Sequence, residues 1–479
     1  MKLLLVNPPL ERYDAAELAP PLGLLELAHF ARLRGLDAGI LDLNLPRHRP
    51  AGDSSTAFYS YAFNLIASEQ ADILGFTSMG VNSHVALHLA ALAHKRLGLP
   101  VILGGVHFRS IAAQLLELFP WIHAIPPFLQ SSDTCRWWEP PNTPAQAFVS
   151  AEDLFKDIDL EPYFSSNPRR VLNFEAGRGC KYNCAFCYSP LAHRNRWVTR
   201  EIHEAVHSLD FLSSILGARH AFLVEDNLGN DTQWLRALCH ELSCARLNLT
   251  WNGYCTLRDL SLELLPIVSS AGCTNLFVGV DVVDETQQRK WRKRFYHTPE
   301  ALTRLLSEAS NSALTLTCAF IIDLAEAASH ATHATLEAAL RVARQGAEVR
   351  LAALAYYPGT SLERDSQLSE QIYSEARPSI LMDVPVVTVR NPIAKQFPEL
   401  FPWHARPRLS ESWEIGVLAI SLAQDLLNDP SVVAAYDDGR QLWMHCRQTA
   451  RLASKEFGFV HKLDLKAQLK ELAMEVGFL

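Results

Sequence analysis

Short continuous apolar runs alternate with stretches in which apolar residues recur every third or fourth position, and this alternation occurs in two blocks. In the first block, the runs at 3–6, 38–43, 73–78, 100–105 and 121–125 predict strands, and the periodic stretches at 20–33, 83–97 and 106–118 predict helices. Apolar strands alternating with helices predict an α/β fold: a doubly wound parallel sheet covered on both faces. In the second block, strands are predicted at 171–174, 220–227, 249–253, 275–281, 314–322 and 349–357, with helices over 201–216, 234–244, 260–271, 298–311 and 332–346. Helical spacing returns at 410–427, 441–457 and 466–476. The predicted division is a sheet domain over 1–135, a proline-rich linker over 136–164, a second α/β domain over 165–365 and a mostly helical segment over 366–479. Prolines also crowd 383–408, which could lie over the mouth of the second domain or serve only as part of a helical cap.

Composition narrows the class. Hydrophobic residues make up 48% and charged residues 20%, as in soluble globular proteins. A net charge of -8 gives no general pull toward nucleic acid or anionic membrane, so neither is expected as a partner. The basic run 289–294 could bind phosphate or an acidic peptide, but reads first as a solvated helix face. The opening apolar run is too short for a signal peptide, and no stretch is long enough to predict a membrane span. Ten cysteines without a secretory signal predict a reducing, cytoplasmic setting.

Three of those cysteines, Cys180, Cys184 and Cys187, fall in the spacing C-x3-C-x2-C just after the strand at 171–174. Thiolates favour zinc or iron–sulfur clusters. A structural zinc site needs a fourth ligand and usually a second paired knuckle, and the other seven cysteines are scattered. Three thiolates on a cubane leave one iron open for chemistry.

This loop, with Gly177-Arg-Gly before it and Phe186 inside it, resembles the signature of the radical S-adenosylmethionine (SAM) superfamily. The turns at the strand ends of the first block, carrying Asn7-Pro8-Pro9, Ser78 to Asn82 and Gly104-Gly105-Val-His107, resemble the cobalamin-binding domain of the vitamin B12-dependent subgroup. The resemblance covers residues 1–365 and implies a partial (β/α)6 barrel for the second block. It implies three cofactors: a 4Fe–4S cluster on Cys180, Cys184 and Cys187, SAM, and cobalamin. Phe186 would pack near the adenine, Glu225 and Asp226 would border the SAM and cluster site, and Asp281 would bond the ribose hydroxyls. Tyr357, in a Pro-Gly-Thr turn, would abut SAM or the corrinoid. Asn7, Pro8, Ser78, Asn82, Gly104, Gly105 and His107 would line the cobalamin pocket.

No Asp-x-His-x-x-Gly follows Val6, so no histidine from that position would ligate cobalt. Relatives often carry Trp-x-x-x-Arg where this chain has Trp251-Asn-Gly-Tyr254, and no role is transferred to Arg258. Most relatives are methyltransferases, so the resemblance implies methyl transfer to an unactivated carbon of a peptide or natural-product intermediate. The alternatives are a B12-dependent radical rearrangement, cyclisation or epimerisation, and a non-catalytic corrinoid-binding protein. The implied partners are a peptide or small-molecule substrate and an external electron donor such as flavodoxin or ferredoxin. No general base is legible.

Overall fold

The computed structural model describes residues 1–9, 18–48, 55–126, 128–129, 148–193, 196–293, 299–326, 329–365, 393, 396–397, 400–401 and 413–456. The first sheet is built from β1 (Lys2–Asn7), β2 (Asp37–Asp42), β3 (Ile73–Thr77), β4 (Val101–Gly104), β5 (Ile122–Ile125) and β6 (Phe128–Leu129), in the order β2-β1-β3-β4-β5-β6. The first five are parallel, and β6 is an antiparallel edge that the sequence did not predict. Both faces of β1 are buried. Leu3 and Leu5 pack with Leu24, Ala28 and Ala31 on one side, while Leu4 and Val6 pack with Phe58, Ala62 and Val85 on the other. Side chains alternate across a strand, so a strand covered on both faces reads as one unbroken apolar run.

The expected linker contains regular structure. Helix Ala151–Phe155 starts at Ser150, whose hydroxyl accepts from Asp153 N at 3.1 Å, and helix Glu161–Ser166 follows. Leu154, Phe155 and Phe164 are buried in the core of the second domain, and the Tyr163 hydroxyl donates to Asp42 of the first sheet at 2.9 Å. The stretch 148–166 therefore fastens the two domains together.

The second sheet consists of β7 (Val171–Phe174), β10 (His220–Leu223), β11 (Thr250–Thr256), β12 (Cys273–Asp281), β13 (Thr315–Ile322) and β14 (Glu348–Ala353), all parallel and adjacent in chain order. This is the expected partial (β/α)6 barrel. The excursion after β7 carries the two-stranded ribbon β8 (Gly177–Gly179) and β9 (Trp197–Thr199). Trp251, Cys255 and Leu276 pack outward against the helices, so Asn252, Tyr254 and Phe277 face the lumen. At the amino end of the lumen, His220 bonds Thr250 (2.7 Å) and Asn252 (3.0 Å), and Asn275 donates to Thr317 (2.9 Å). Above this polar floor lies an aromatic layer, Phe222, Tyr254 and Phe277, with neighbouring centroids 5.1 and 5.3 Å apart. The carboxyl end is left for the site.

The open edge of β14 would expose unpaired backbone groups. Helix Trp413–Leu427 closes it: Gln424 Oε1 accepts from Leu351 N at 2.9 Å, and the Asn428 amide accepts from Val349 N (2.9 Å) and donates to Val349 O (2.7 Å). Val417, Leu418, Leu422 and Leu426 of that helix, with Leu442 and Trp443 of helix Gly439–Glu456, join the barrel's core. Each buried side chain of this size contributes roughly 1.5–3 kcal/mol of burial. The helix predicted at 466–476 and most of 383–408 lie outside the described residues. The described residues between 393 and 401 pack on the first sheet domain. No helix among the described residues is long and apolar enough to cross a membrane.

Candidate functional site

The cysteine loop is held from several sides. Gly179 has φ +90°, and a Cβ there would lie 2.1 Å from Arg196 O, so glycine is needed for the ribbon to close before Cys180. Asn230 accepts from Lys181 N (3.1 Å) and donates to Gly179 O (3.0 Å). Inside the loop, Ala185 N donates to Trp291 O and Leu362 N donates to Ala185 O, both at 2.8 Å. Cys187 Sγ accepts from Ser189 N at 3.4 Å.

Cys180, Cys184 and Cys187 line a single cavity of about 560 Å³ at the carboxyl end of the barrel. Burial pushes the Cys184 thiol up to about 11 and Cys187 up to about 12, and it raises Cys180 as well. Three thiols lining one cavity fit a polynuclear cluster, whose irons sit at separate corners.

The other predicted residues divide. Phe186 and Asp226 line the cavity, as does Asp281. Phe186 meets Trp291 edge-on at 5.6 Å, and the Ser189 hydroxyl donates to Asp226 at 2.8 Å. Asp281 sits at the end of β12, at φ +64° and beside a register shift, with Oδ2 2.6 Å from Lys293 Nζ. Glu225 does not line the cavity. It is buried beneath the start of the loop, where Oε1 accepts from Ala176 N (2.5 Å) and Gly177 N (2.9 Å), and burial pushes its pKa up to about 8. Tyr357 is also outside the cavity and packs on Tyr188 with centroids 4.6 Å apart.

Sequence reasoning missed one wall. The basic run is a solvated helix face only in part: Arg289 and Lys290 are exposed at the end of the helix, but Trp291 beyond it is fully buried and Lys293 is 8% exposed. Arg289, Arg292 and Lys293 line the cavity, together with Arg258, whose guanidinium lies over the Tyr182 ring at 5.1 Å. A tryptophan in the middle of the run was the available signal that it turns inward.

At the carboxyl edge of the first sheet, the predicted polar residues bond neighbouring protein groups. Asn7 donates to Asp42 (2.9 Å), and the Asn44 and Asn82 amides both donate to Pro8 O (3.2 Å). The Ser78 hydroxyl donates to Met79 O at 2.8 Å. Gly105 has φ +96°, and a Cβ there would lie 2.1 Å from Ser78 O, so this glycine serves the approach of β3 and β4 to each other. Gly104 has no such crowding: its Cβ would meet nothing nearer than Phe76 O at 3.9 Å.

His107 is buried at a three-way junction. Burial lowers its pKa to about 4, so the ring is neutral at pH 7. Nε2 lies 2.8 Å from Leu400 O, which can only accept, so Nε2 carries the proton. Nδ1 then accepts from the Tyr188 hydroxyl at 3.2 Å. Phe401 stacks on the His107 ring with centroids 6.3 Å apart. The cysteine loop, the first sheet and the C-terminal segment thus meet at one imidazole.

A parallel sheet facing a partial barrel whose carboxyl end holds three thiols defines a class of architecture, and known proteins share it. The B12 binding domain family matches residues 14–124. An uncharacterized methyltransferase of Pyrococcus horikoshii is 21% identical over 401 residues, 76% of this chain and 82% of the relative. An uncharacterized methyltransferase of Synechocystis is 22% identical over 263 residues, 52% of this chain and 47% of that protein. Among solved structures, the radical SAM methyltransferase TsrM from Kitasatospora setae, with cobalamin and an iron–sulfur cluster bound, superposes with a TM-score of 0.60 at 16% identity over 99% of both chains. The cobalamin-dependent SAM radical enzyme OxsB gives 0.59 at 14% identity, covering 99% of this chain and 84% of that one. Residues 14–124 thus match the B12 binding domain family, and the chain shares its fold with TsrM and OxsB.

Proposed function

We propose that the chain is a cobalamin-dependent radical SAM methyltransferase, acting on a carbon of a small molecule or peptide intermediate. The observation that carries this reading is the set of three half-buried thiols around one 560 Å³ cavity at the carboxyl end of a six-stranded barrel, adjoining a B12-binding domain. TsrM has been solved with tryptophan and a SAM analogue bound, which supports a small-molecule substrate class.

Cys180, Cys184 and Cys187 would hold the cluster, and the turns carrying Gly104 and His107 would face the corrinoid. When bound, the cluster supplies an electron to SAM and the corrinoid supplies a transferable methyl group. The chain's own residues position and shield. The raised thiols are protonated in the free protein at neutral pH, so loading iron displaces protons. Asp281 keeps Oδ1 for the ribose hydroxyls while Lys293 holds Oδ2. Asp226, held by the Ser189 hydroxyl, faces the same space. Tyr254 and Phe277 close the lumen below and keep water from the reacting centre.

The test is anaerobic incubation of reconstituted protein with SAM labelled in its methyl group, hydroxocobalamin and a reductant, with products read by mass spectrometry. The expected products are S-adenosylhomocysteine and 5′-deoxyadenosine, with label on the corrinoid. Deoxyadenosine without homocysteine product or label would replace methyl transfer by a radical rearrangement. Neither product, with all cofactors bound, would leave a corrinoid-binding protein.

A further inference from the structure

Lys293 carries an ammonium with three N–H donors, and three acceptors meet them: Asp281 Oδ2 at 2.6 Å, Thr256 Oγ1 at 3.0 Å and Gly279 O at 3.1 Å. An ammonium so satisfied is neither a base nor a nucleophile. Burial, the largest influence, lowers its pKa, but the Asp281 carboxylate beside it raises it, and Lys293 remains a cation. Its place is set by the backbone. Trp291 O accepts from Ala185 N inside the cysteine loop, Arg292 turns the chain at φ +55°, and Lys293 N returns to Gln288 O at 2.9 Å. The segment bearing the lysine is therefore bonded to the stretch between Cys184 and Cys187. With the three cysteines, the charged side chains lining the cavity are Lys181, Arg258, Arg289, Arg292 and Lys293 against Asp226 and Asp281, so the lysine belongs to a lining of net positive charge.

We propose that Lys293 is a positioning residue of the cluster cavity: it holds Asp281 at the strand ends and sets a fixed positive charge beside the cysteine loop, which makes an iron–sulfur cluster there easier to reduce. This rests on the reading of the site given above. Reduction moves one electron from a one-electron donor to the cluster, with no bond made or broken and no proton transferred. A nearby cation stabilises the added electron, and the more so where water is excluded. Local charge and hydrogen bonding are established levers on cluster potential.

The experiment compares wild-type, Lys293→Arg, Lys293→Met and Asp281→Asn proteins, each reconstituted anaerobically with iron and sulfide. Bound iron and sulfide are counted, and each protein is titrated with dithionite under EPR without SAM or corrinoid. Lys293→Met is expected to be harder to reduce, with about tenfold less reduced cluster at the wild-type midpoint. Lys293→Arg is expected to restore the midpoint, and Asp281→Asn, which removes the neutralising carboxylate, to move it in the easier direction. A wild-type midpoint in Lys293→Met overturns the inference. Should that variant hold no cluster, a wild-type midpoint in Asp281→Asn overturns it equally. Wild-type protein that takes up no iron would overturn the cluster reading itself, and the iron count registers this before any potential is measured.

Discussion

Glu225 is a carboxyl with no place for a negative charge. Its Oε1 accepts two backbone N–H groups, but Oε2 is buried without a hydrogen-bond partner, and burial lifts the pKa from the ordinary 4.5 to about 8. Between those values the folded state holds a proton that the unfolded chain has lost, so stability falls as pH rises. The contribution is complete below pH 4.5 and gone above 8, with a slope of up to roughly 1.4 kcal/mol per pH unit between them. Glu225→Gln keeps an acceptor for Ala176 and Gly177 and removes the titration. Urea unfolding at pH 5.5 and pH 8 should therefore show the variant gaining on wild type at the higher pH; parallel losses in both would contradict this. The glycines at 104 and 105 separate in the same way. Gly105→Ala forces a Cβ onto Ser78 O and should cost at least ~3 kcal/mol, seen as a collapse in soluble yield. Gly104→Ala makes only an ordinary contact with Phe76 O at 3.9 Å and should fold within ~1 kcal/mol of wild type, so a loss of bound hydroxocobalamin in that variant would report close approach of the corrinoid.

At the scale of elements, legibility followed burial more than length: the 14-residue helix Ser55–Ser68 carried no prediction. Most parallel strands were readable as apolar runs covered on both sides, as in β1, while the two-residue edge β6 was not. Helices Ala151–Phe155 and Glu161–Ser166 were missed because five and six residues hold too little of the 3.6-residue period to show. The basic run misled for a different reason. It was read from charge alone, but the helix stops at Lys290, and beyond the turn at Arg292 Lys293 is buried. The cysteine spacing was readable since local sequence alone specifies it, whereas the Asp281–Lys293 pair depends on a tertiary turn. Sequence also could not show how the sixth strand's edge is closed. Asn428→Ala removes the acceptor for Val349 N and the donor to Val349 O, leaving a strand edge half satisfied. A loss of about 1–3 kcal/mol in urea unfolding is expected, and a variant as stable as wild type would mean water serves that edge equally well.

At the scale of the whole molecule, the C-terminal segment decides what the N-terminal sheet can offer a corrinoid. Leu400 and Phe401 are fully buried against that sheet, nearly three hundred residues away in sequence, with Phe401 set edge-on to His84 at 6.0 Å and stacked on His107. Both nitrogens of His107 are committed, one to the Leu400 carbonyl and one to the Tyr188 hydroxyl beside Cys187. A committed imidazole cannot also donate a lone pair to cobalt: Nε2 is protonated and the Nδ1 lone pair is already taken. This agrees with the absence of Asp-x-His-x-x-Gly after β1 and extends it to the histidine of the Gly-Gly turn. The prediction concerns a spectrum. Protein loaded with hydroxocobalamin and reduced to the cobalt(II) state should give the same EPR signal whether its histidines carry nitrogen-14 or nitrogen-15. Any nitrogen splitting present must then come from the corrinoid's own base. His107→Ala should leave that signal unchanged while weakening retention of the C-terminal segment, seen as faster proteolysis near residue 400. A splitting that changes on histidine labelling would mean that the segment releases His107 when the corrinoid binds, and that the junction of loop, sheet and tail is remade by its cofactor.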